Sequence, residues 1–444
     1  MAGYWKLPRR VGDWVALLAA VLHGSSAWRL APLLVGLLFA GGRRTVSSWL
    51  RGNGLSDDFQ DYYYFLSSLG RKAKDVARAL LGLVVAELPL GDRLVFAIDD
   101  TPTKRVGPKV QGAGIHHDPT PGPTASKAAF FYGHVWVTVA LVLPHPLWGA
   151  LGLPLWALLY VTQEALTKLP SNLTWTFATK LQLAAEQVRW LAKNLSHLSK
   201  PLWVVVDAFY GKAEVFKAAR ETSVRLVTRV RHDAALFEVP KPAKKKGRGR
   251  PRKYGSKICL AKRAGHAKGW QTGTFRLYGK EVTKKYKTFE AIYKPAQGRV
   301  RIVLVKEETT WAAFLCTHVD ATVGEILEAV SDRMTIEQVF HDVKEVHGVG
   351  QPQLRYLWAG IGSFNLVLWW HTLIEMWAWG KPKEKLCDRT SSPWDDAERR
   401  PSHADRRNAL RRECIGNEFS TIHAAMALPR KLTRFLKRLR KLVA

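Results

Sequence analysis

Apolar positions recur at helical spacing over Trp14–Phe39 and again over Phe59–Val85, which predicts a helical N-terminal domain at residues 1–90. From Arg93 the period shortens: LVFAIDD and FYGHVWVTVALVL read as strands, a helical stretch follows over Asn172–Leu195, and LWVVVDA is a third strand. Strand, strand, helix, strand, with carboxylates at the strand ends, is the pattern of an α/β sheet whose working residues lie at strand tips. After a helix over Ala213–Thr222, the runs SVRLVTRVR, FRLYGKEVTKKYKTFEAIYK, RVRIVLVKE and AAFLCTH alternate, predicting a β-rich segment over 223–317. Helical spacing returns from Thr322 to Trp379, and residues 381–444 are polar with the basic finish KLTRFLKRLRK.

The run from Val135 to Val161 carries no formally charged residue, so a membrane span has to be weighed. Pro144, Pro146 and Pro154 cut it into pieces shorter than the roughly 20 residues that a spanning helix needs. Its first half reads instead as a buried strand ending at Leu143, and no membrane association is expected. The apolar stretch near the N-terminus has no convincing cleavage site and does not read as a signal peptide.

Charge changes the picture more. The 444-residue chain has 68 Lys and Arg against 37 Asp and Glu, a formal net charge of +31, which points to a polyanionic partner, nucleic acid first. Within RRTVSSWLRGNGLSDD, Arg43, Arg44 and Arg51 suit a short helix laid on DNA in the manner of a helix-turn-helix; an ordinary amphipathic helix pair fits equally. The segment Lys241–Tyr254 has eight basic residues and no acid. In it Gly249-Arg250-Pro251, flanked by Arg248, Arg252 and Lys253, has the form of an AT-hook for the minor groove, with general phosphate attraction as the other reading. The basic tail reads either as an arm for DNA or a partner, or as a solvated helix. The four cysteines, Cys259, Cys316, Cys387 and Cys414, form no C-x-x-C pair, so neither a zinc site nor a disulfide framework is expected from them.

Phosphodiester cleavage without a covalent intermediate is commonly served by two divalent ions roughly 4 Å apart, held by hard oxygen ligands. Three carboxylate positions stand out for it: Asp99 or Asp100 after LVFAI, Asp207 after LWVVV, and Glu337 on a later helix. On an unbroken helix through DRMTIEQVFHDVKEVHG, Arg333, Glu337 and Lys344 fall within about 40° of one face at 100° per residue. Alone, that pattern is an ordinary surface ion pair.

Together these motifs resemble the DDE transposases of bacterial insertion sequences, in the group with a β-strand insertion between the second and third carboxylates. That group carries a tyrosine, an arginine three on, a glutamate four further and a lysine seven further. Arg333, Glu337 and Lys344 match, while Val330 stands at the tyrosine position. The Asp-x-Ser/Thr motif selects Asp99 of Ile98-Asp99-Asp100-Thr101; an aspartate directly before the threonine would select Asp100. The second motif is Asp207-Ala208-Phe209. The third carboxylate, at 337, lies 130 positions after the second, at 207, which leaves room for the insertion.

The resemblance implies a ribonuclease-H-like catalytic core of the α/β class at 91–222 and 318–380, a β-rich insertion domain at 223–317 with its basic loop at 241–254, and a basic helical C-terminal region at 381–444. It implies Asp99, Asp207 and Glu337 as ligands of two Mg²⁺ or Mn²⁺ ions, with Arg333, Lys344, Lys104 and Arg105 on the phosphates. The partners would be double-stranded transposon ends and target DNA, bound by a homodimer in the bacterial cytoplasm, associated with the nucleoid. The alternative is a relic or regulator that holds transposon ends without cutting them.

Overall fold

A computed structural model describes residues 5–118, 129–240, 252–390, 392–425 and 432. Six helices precede the first strand among the described residues: α1 (Arg9–Ala19), α2 (Gly24–Ala27), α3 (Leu30–Phe39), α4 (Val46–Gly52), α5 (Phe59–Arg71) and α6 (Ala73–Glu87). Then come β1 (Leu94–Lys104), β2 (Gly114–Asp118), β3 (Ala129–His145), β4 (Gly149–Tyr160), α7 (Gln163–Thr167), α8 (Lys180–Leu195), β5 (Leu202–Val206), α9 (Ala213–Glu221) and β6 (Arg225–Val230). The next stretch holds β7 (Leu236–Phe237), β8 (Lys257–Ile258), α10 (Leu260–Gly265), β9 (Gln271–Leu277), β10 (Lys280–Tyr293), β11 (Gly298–Lys306) and β12 (Trp311–Cys316). The chain continues through α11 (Val323–Arg333), α12 (Thr335–Glu345), α13 (Leu357–Ala378), α14 (Lys383–Leu386) and α15 (His403–Ala425).

All the strands among the described residues join one mixed sheet. Antiparallel β4, β3 and β1 lead into β5 and β6, which run parallel to β1, an arrangement compatible with a ribonuclease-H-like core. The strands after β6 share this sheet, since β12 pairs antiparallel with β6 and β11 and β10 follow it. Helices cover both faces. Phe96, Ile98, Val204 and Val206 face the side of α8 and α9, while Ala97 packs with Ile336 and Phe340 of α12, and Val205 with Ile326 and Leu327 of α11.

The uncharged run 135–161 is the β3–β4 hairpin. Beyond β4 the backbone is satisfied by α13, as an edge strand requires. Asn365 accepts from Ala157 N at 2.9 Å and donates to Ala157 O at 3.1 Å, Trp369 Nε1 donates to Leu155 O, and Thr372 Oγ1 donates to Pro154 O. Helix α13 is buried along nearly its whole length. It crosses α5 with no room for side chains, because a Cβ on Gly70 or Gly362 would lie about 2 Å from the opposing backbone. Among the described residues, no helix is long and apolar enough to cross a membrane.

Two predicted helices differ in extent. The one expected from Asn172 starts at Lys180, where Thr179 and Gln182 form a capping box. The helix expected to carry Arg333, Glu337 and Lys344 as one unit breaks at Met334, between α11 and α12.

Candidate active site

Strand β1 is buried between β3 and β5, and its alternation decides where the two adjacent aspartates go. Ile98 pairs with Val206 in the parallel ladder, so Asp99 and Asp207 are the next residues of each strand and share the face of Ala97 and Val205. That is the α11–α12 face. There Arg333 Nη1 lies 2.7 Å from Asp99 Oδ2 and Nη2 lies 3.1 Å from Glu337 Oε1. Arg333 thus pairs with Asp99 and Glu337 and lies within electrostatic reach of Asp207, although the continuous helix expected to carry Arg333 and Glu337 is divided at Met334. Met334 between the two helices keeps helical dihedrals, φ −57° and ψ −17°, so Arg333 still reaches Glu337 four residues on as well as Asp99. Helix α12 sits low on the sheet because of Gly152 in β4, where a Cβ would lie 2.8 Å from Val339 Cγ2 and 3.1 Å from Thr335 O.

Asp100 points to the opposite face. Lys180 Nζ, at the start of α8, is 3.1 Å from its Oδ2, and the Tyr210 hydroxyl donates to its Oδ1 at 2.7 Å. The backbone N–H of Tyr210 donates to Asp207 Oδ1 at 3.1 Å, so this one residue ties the tips of β1 and β5 together. Lys180 also lies over the half-exposed ring of Phe209, 4.7 Å from its centroid. Tyr210 follows directly on the aspartate motif; Lys180 is 80 positions from Asp100 and had no local signal.

Burial pushes the Asp99 carboxyl up to about 7, with Asp207 reinforcing the effect against the pull of Arg333. Burial likewise raises Asp207, against the Tyr210 N–H and Arg333. Three carboxylates, two of them partly desolvated, share the field of one guanidinium and are short of positive charge. Their oxygen-only donor set fits a hard divalent cation such as Mg²⁺ or Mn²⁺.

The remaining sequence candidates divide. Lys104 is exposed at the end of β1, and Arg43, Arg51, Arg252 and Lys253 are exposed as well. Arg105 is a correction: only 8% exposed, it donates to His134 Nδ1 and to the carbonyls of Gly350 and Pro352, so burial and not phosphate claims it. Arg44 also serves the fold, its backbone N–H bonding Gln351 and its guanidinium the Glu345 carbonyl at the end of α12. Lys344 is half-buried two turns beyond Glu337, within electrostatic reach of Glu345 and Asp118. Arg248 and Arg250, and most of the basic finish of the tail, lie outside the described residues. In α4, Trp49 is fully buried against α3.

Residues 18–288 match the family model described as DDE superfamily endonuclease, more than half of the chain. The match includes Asp99 and Asp207 and ends before Glu337. No curated protein matches the chain.

Proposed function

Because the chain belongs to the DDE superfamily endonucleases, for which DNA is the substrate, we propose that it is a cut-and-paste DNA transposase using Asp99, Asp207 and Glu337. The observation that carries this reading is the parallel β1–β5 register, which brings Asp99 and Asp207 onto the face where Arg333 links Asp99 to Glu337. The three carboxylates would hold two Mg²⁺ or Mn²⁺ ions. Such ions, when bound, lower the pKa of an attacking water and offset charge on the phosphate.

The chain's own groups do the rest. Asp207 is held at its post by the Tyr210 N–H, and Asp100 is a positioning residue, fixed by Lys180 and Tyr210 on the far side of β1. Arg333 has the planar fork that pairs with phosphate oxygens, and Lys104 adds charge at the strand tip. The reaction runs first by attack of water at the transposon end and then by attack of the freed 3′-hydroxyl on target DNA. Residues 1–90 serve as the DNA-binding domain, 223–317 as the insertion carrying the basic loop, and 381–444 as a basic arm. A homodimer on paired ends supplies one site per end, in the bacterial cytoplasm.

Asp207→Asn is expected to abolish Mg²⁺-dependent cleavage of the element's terminal repeats while leaving their gel-shift binding intact. Retained cleavage would remove Asp207 from the site. Wild-type protein that binds ends but does not cut them in Mn²⁺ would favour a non-cleaving relic.

A further inference from the structure

Behind α12, on the side away from Glu337, a second polar cluster is buried between three helices. Asp342 of α12, His371 and Glu375 of α13, and His403 and Arg406 of α15 are each less than a tenth exposed. One ligand atom from each of Asp342, His371 and His403 lies within 4.8 Å of the others. The group opens onto a cleft of about 830 Å³.

The hydrogen bonds fix how these side chains present themselves. His403 Nδ1 donates to Glu375 Oε1 at 2.5 Å, and Arg406 holds both oxygens of Glu375. A carboxylate behind the distal nitrogen is the usual support of a metal-binding histidine: it sets the tautomer and leaves Nε2 as the donor atom. His371 is 2% exposed, yet neither of its nitrogens has a hydrogen-bond partner in the protein. Its Nε2 stands 3.8 Å from Asp342 Oδ2, beyond hydrogen-bond length. Leaving a buried polar group without a partner costs about 1–3 kcal/mol, so a buried imidazole with Nδ1 unpartnered and Nε2 in only a long ion-pair contact needs an explanation. Charge points the same way: Arg406 matches Glu375, whereas Asp342 has Gln338 and histidines around it.

We propose that Asp342, His371 and His403 form a structural site for a borderline divalent cation of the zinc type, clamping α12 to α13 and α15. Two imidazoles and a carboxylate suit zinc better than the hard ions of an oxygen-only site. The rings of His371 and His403 are stacked at 3.9 Å, so both must tilt to bring their Nε2 lone pairs onto one ion. His371 can do so without breaking a hydrogen bond. His403 Nε2 accepts from His347 Nε2 at 2.7 Å, a hydrogen bond that a bound cation would displace. The site fixes the helix that carries Glu337 to the C-terminal region, independently of the metal at the strand tips.

The test uses the full chain carrying Asp99→Asn, Asp207→Asn and Glu337→Gln, so that zinc at the strand tips does not confuse the count. After equilibration with zinc and gel filtration, metal analysis should find one zinc per chain, and zinc should raise the melting temperature. Adding His371→Ala or Asp342→Asn should abolish both effects, and Glu375→Gln should weaken zinc binding about 10–100-fold. Should His371→Ala fail to fold by circular dichroism, the more peripheral Asp342→Asn carries the test. A folded protein that retains no zinc, or retention unchanged in either ligand variant, would overturn the site whatever the fate of the cleavage reaction.

Discussion

At the scale of single residues, Arg333 is the group on which the candidate site turns, since it bonds one carboxylate from the sheet and one from the helix. A lysine offers a point charge in place of a fork and cannot span both. Arg333→Lys should therefore lower cleavage by about 10²–10³, the usual loss for a preorganised charge-stabilising donor, with end binding nearly unchanged in gel shifts. Wild-type cleavage rates in that variant would show the fork to be dispensable. A second residue reports on the fold. His134 is buried, its Nδ1 accepts from Arg105 and its Nε2 faces Gln111 O, so burial drives its pKa down to about 3. The unfolded chain takes up this proton near pH 6.5 and the native state does not, so His134 supports stability above that pH and the support is lost on acidification. Between pH 6.5 and pH 4 the loss is roughly 3 kcal/mol. Denaturant unfolding across this window should show a shallower pH dependence in His134→Gln. The aspartate pair, adjacent in sequence, was separable only by alternation: which face of β1 looks at α12 is not written in Ile98-Asp99-Asp100-Thr101.

Among the elements, α12 depends on its seat. Gly152 lets it lie against β4, and Gly152→Ala would press on Val339 and the Thr335 carbonyl. The expected outcome is a stability loss of about 1–3 kcal/mol together with a drop in cleavage of up to about 100-fold, since a shift of about 1 Å at a reacting group has that effect. Equal cleavage by wild type and variant would show that Glu337 tolerates displacement of its helix. The strands and most helices were legible because their hydrophobic periods are strong. The break at Met334 was not, because the apolar positions on either side continue at helical spacing and only packing against two different parts of the sheet separates α11 from α12. Likewise the β3–β4 run is uncharged for a reason that lies in α13, whose Asn365, Trp369 and Thr372 supply the hydrogen bonds that solvent would otherwise provide.

For the whole molecule, a net charge of +31 makes association with DNA a matter of counterion release. With six to ten phosphates neutralised, affinity should fall by roughly 10³–10⁵ between 50 and 200 mM salt, read as the slope of log affinity against log salt in titrations with end DNA. A flat slope would show the basic surface to be engaged elsewhere. The sequence by itself determined the periods of the elements, the excess of positive charge, and the motifs around Asp207 and Glu337, because each is a local pattern. It could not tell Arg105, consumed inside the protein, from Lys104 beside it, which faces water. Nor could it bring Lys180 to Asp100, or assemble Asp342, His371 and His403 from three helices. Those depend on long-range contacts, and burial, partnership and shifted proton affinity are properties of an environment that exists only once distant segments have packed.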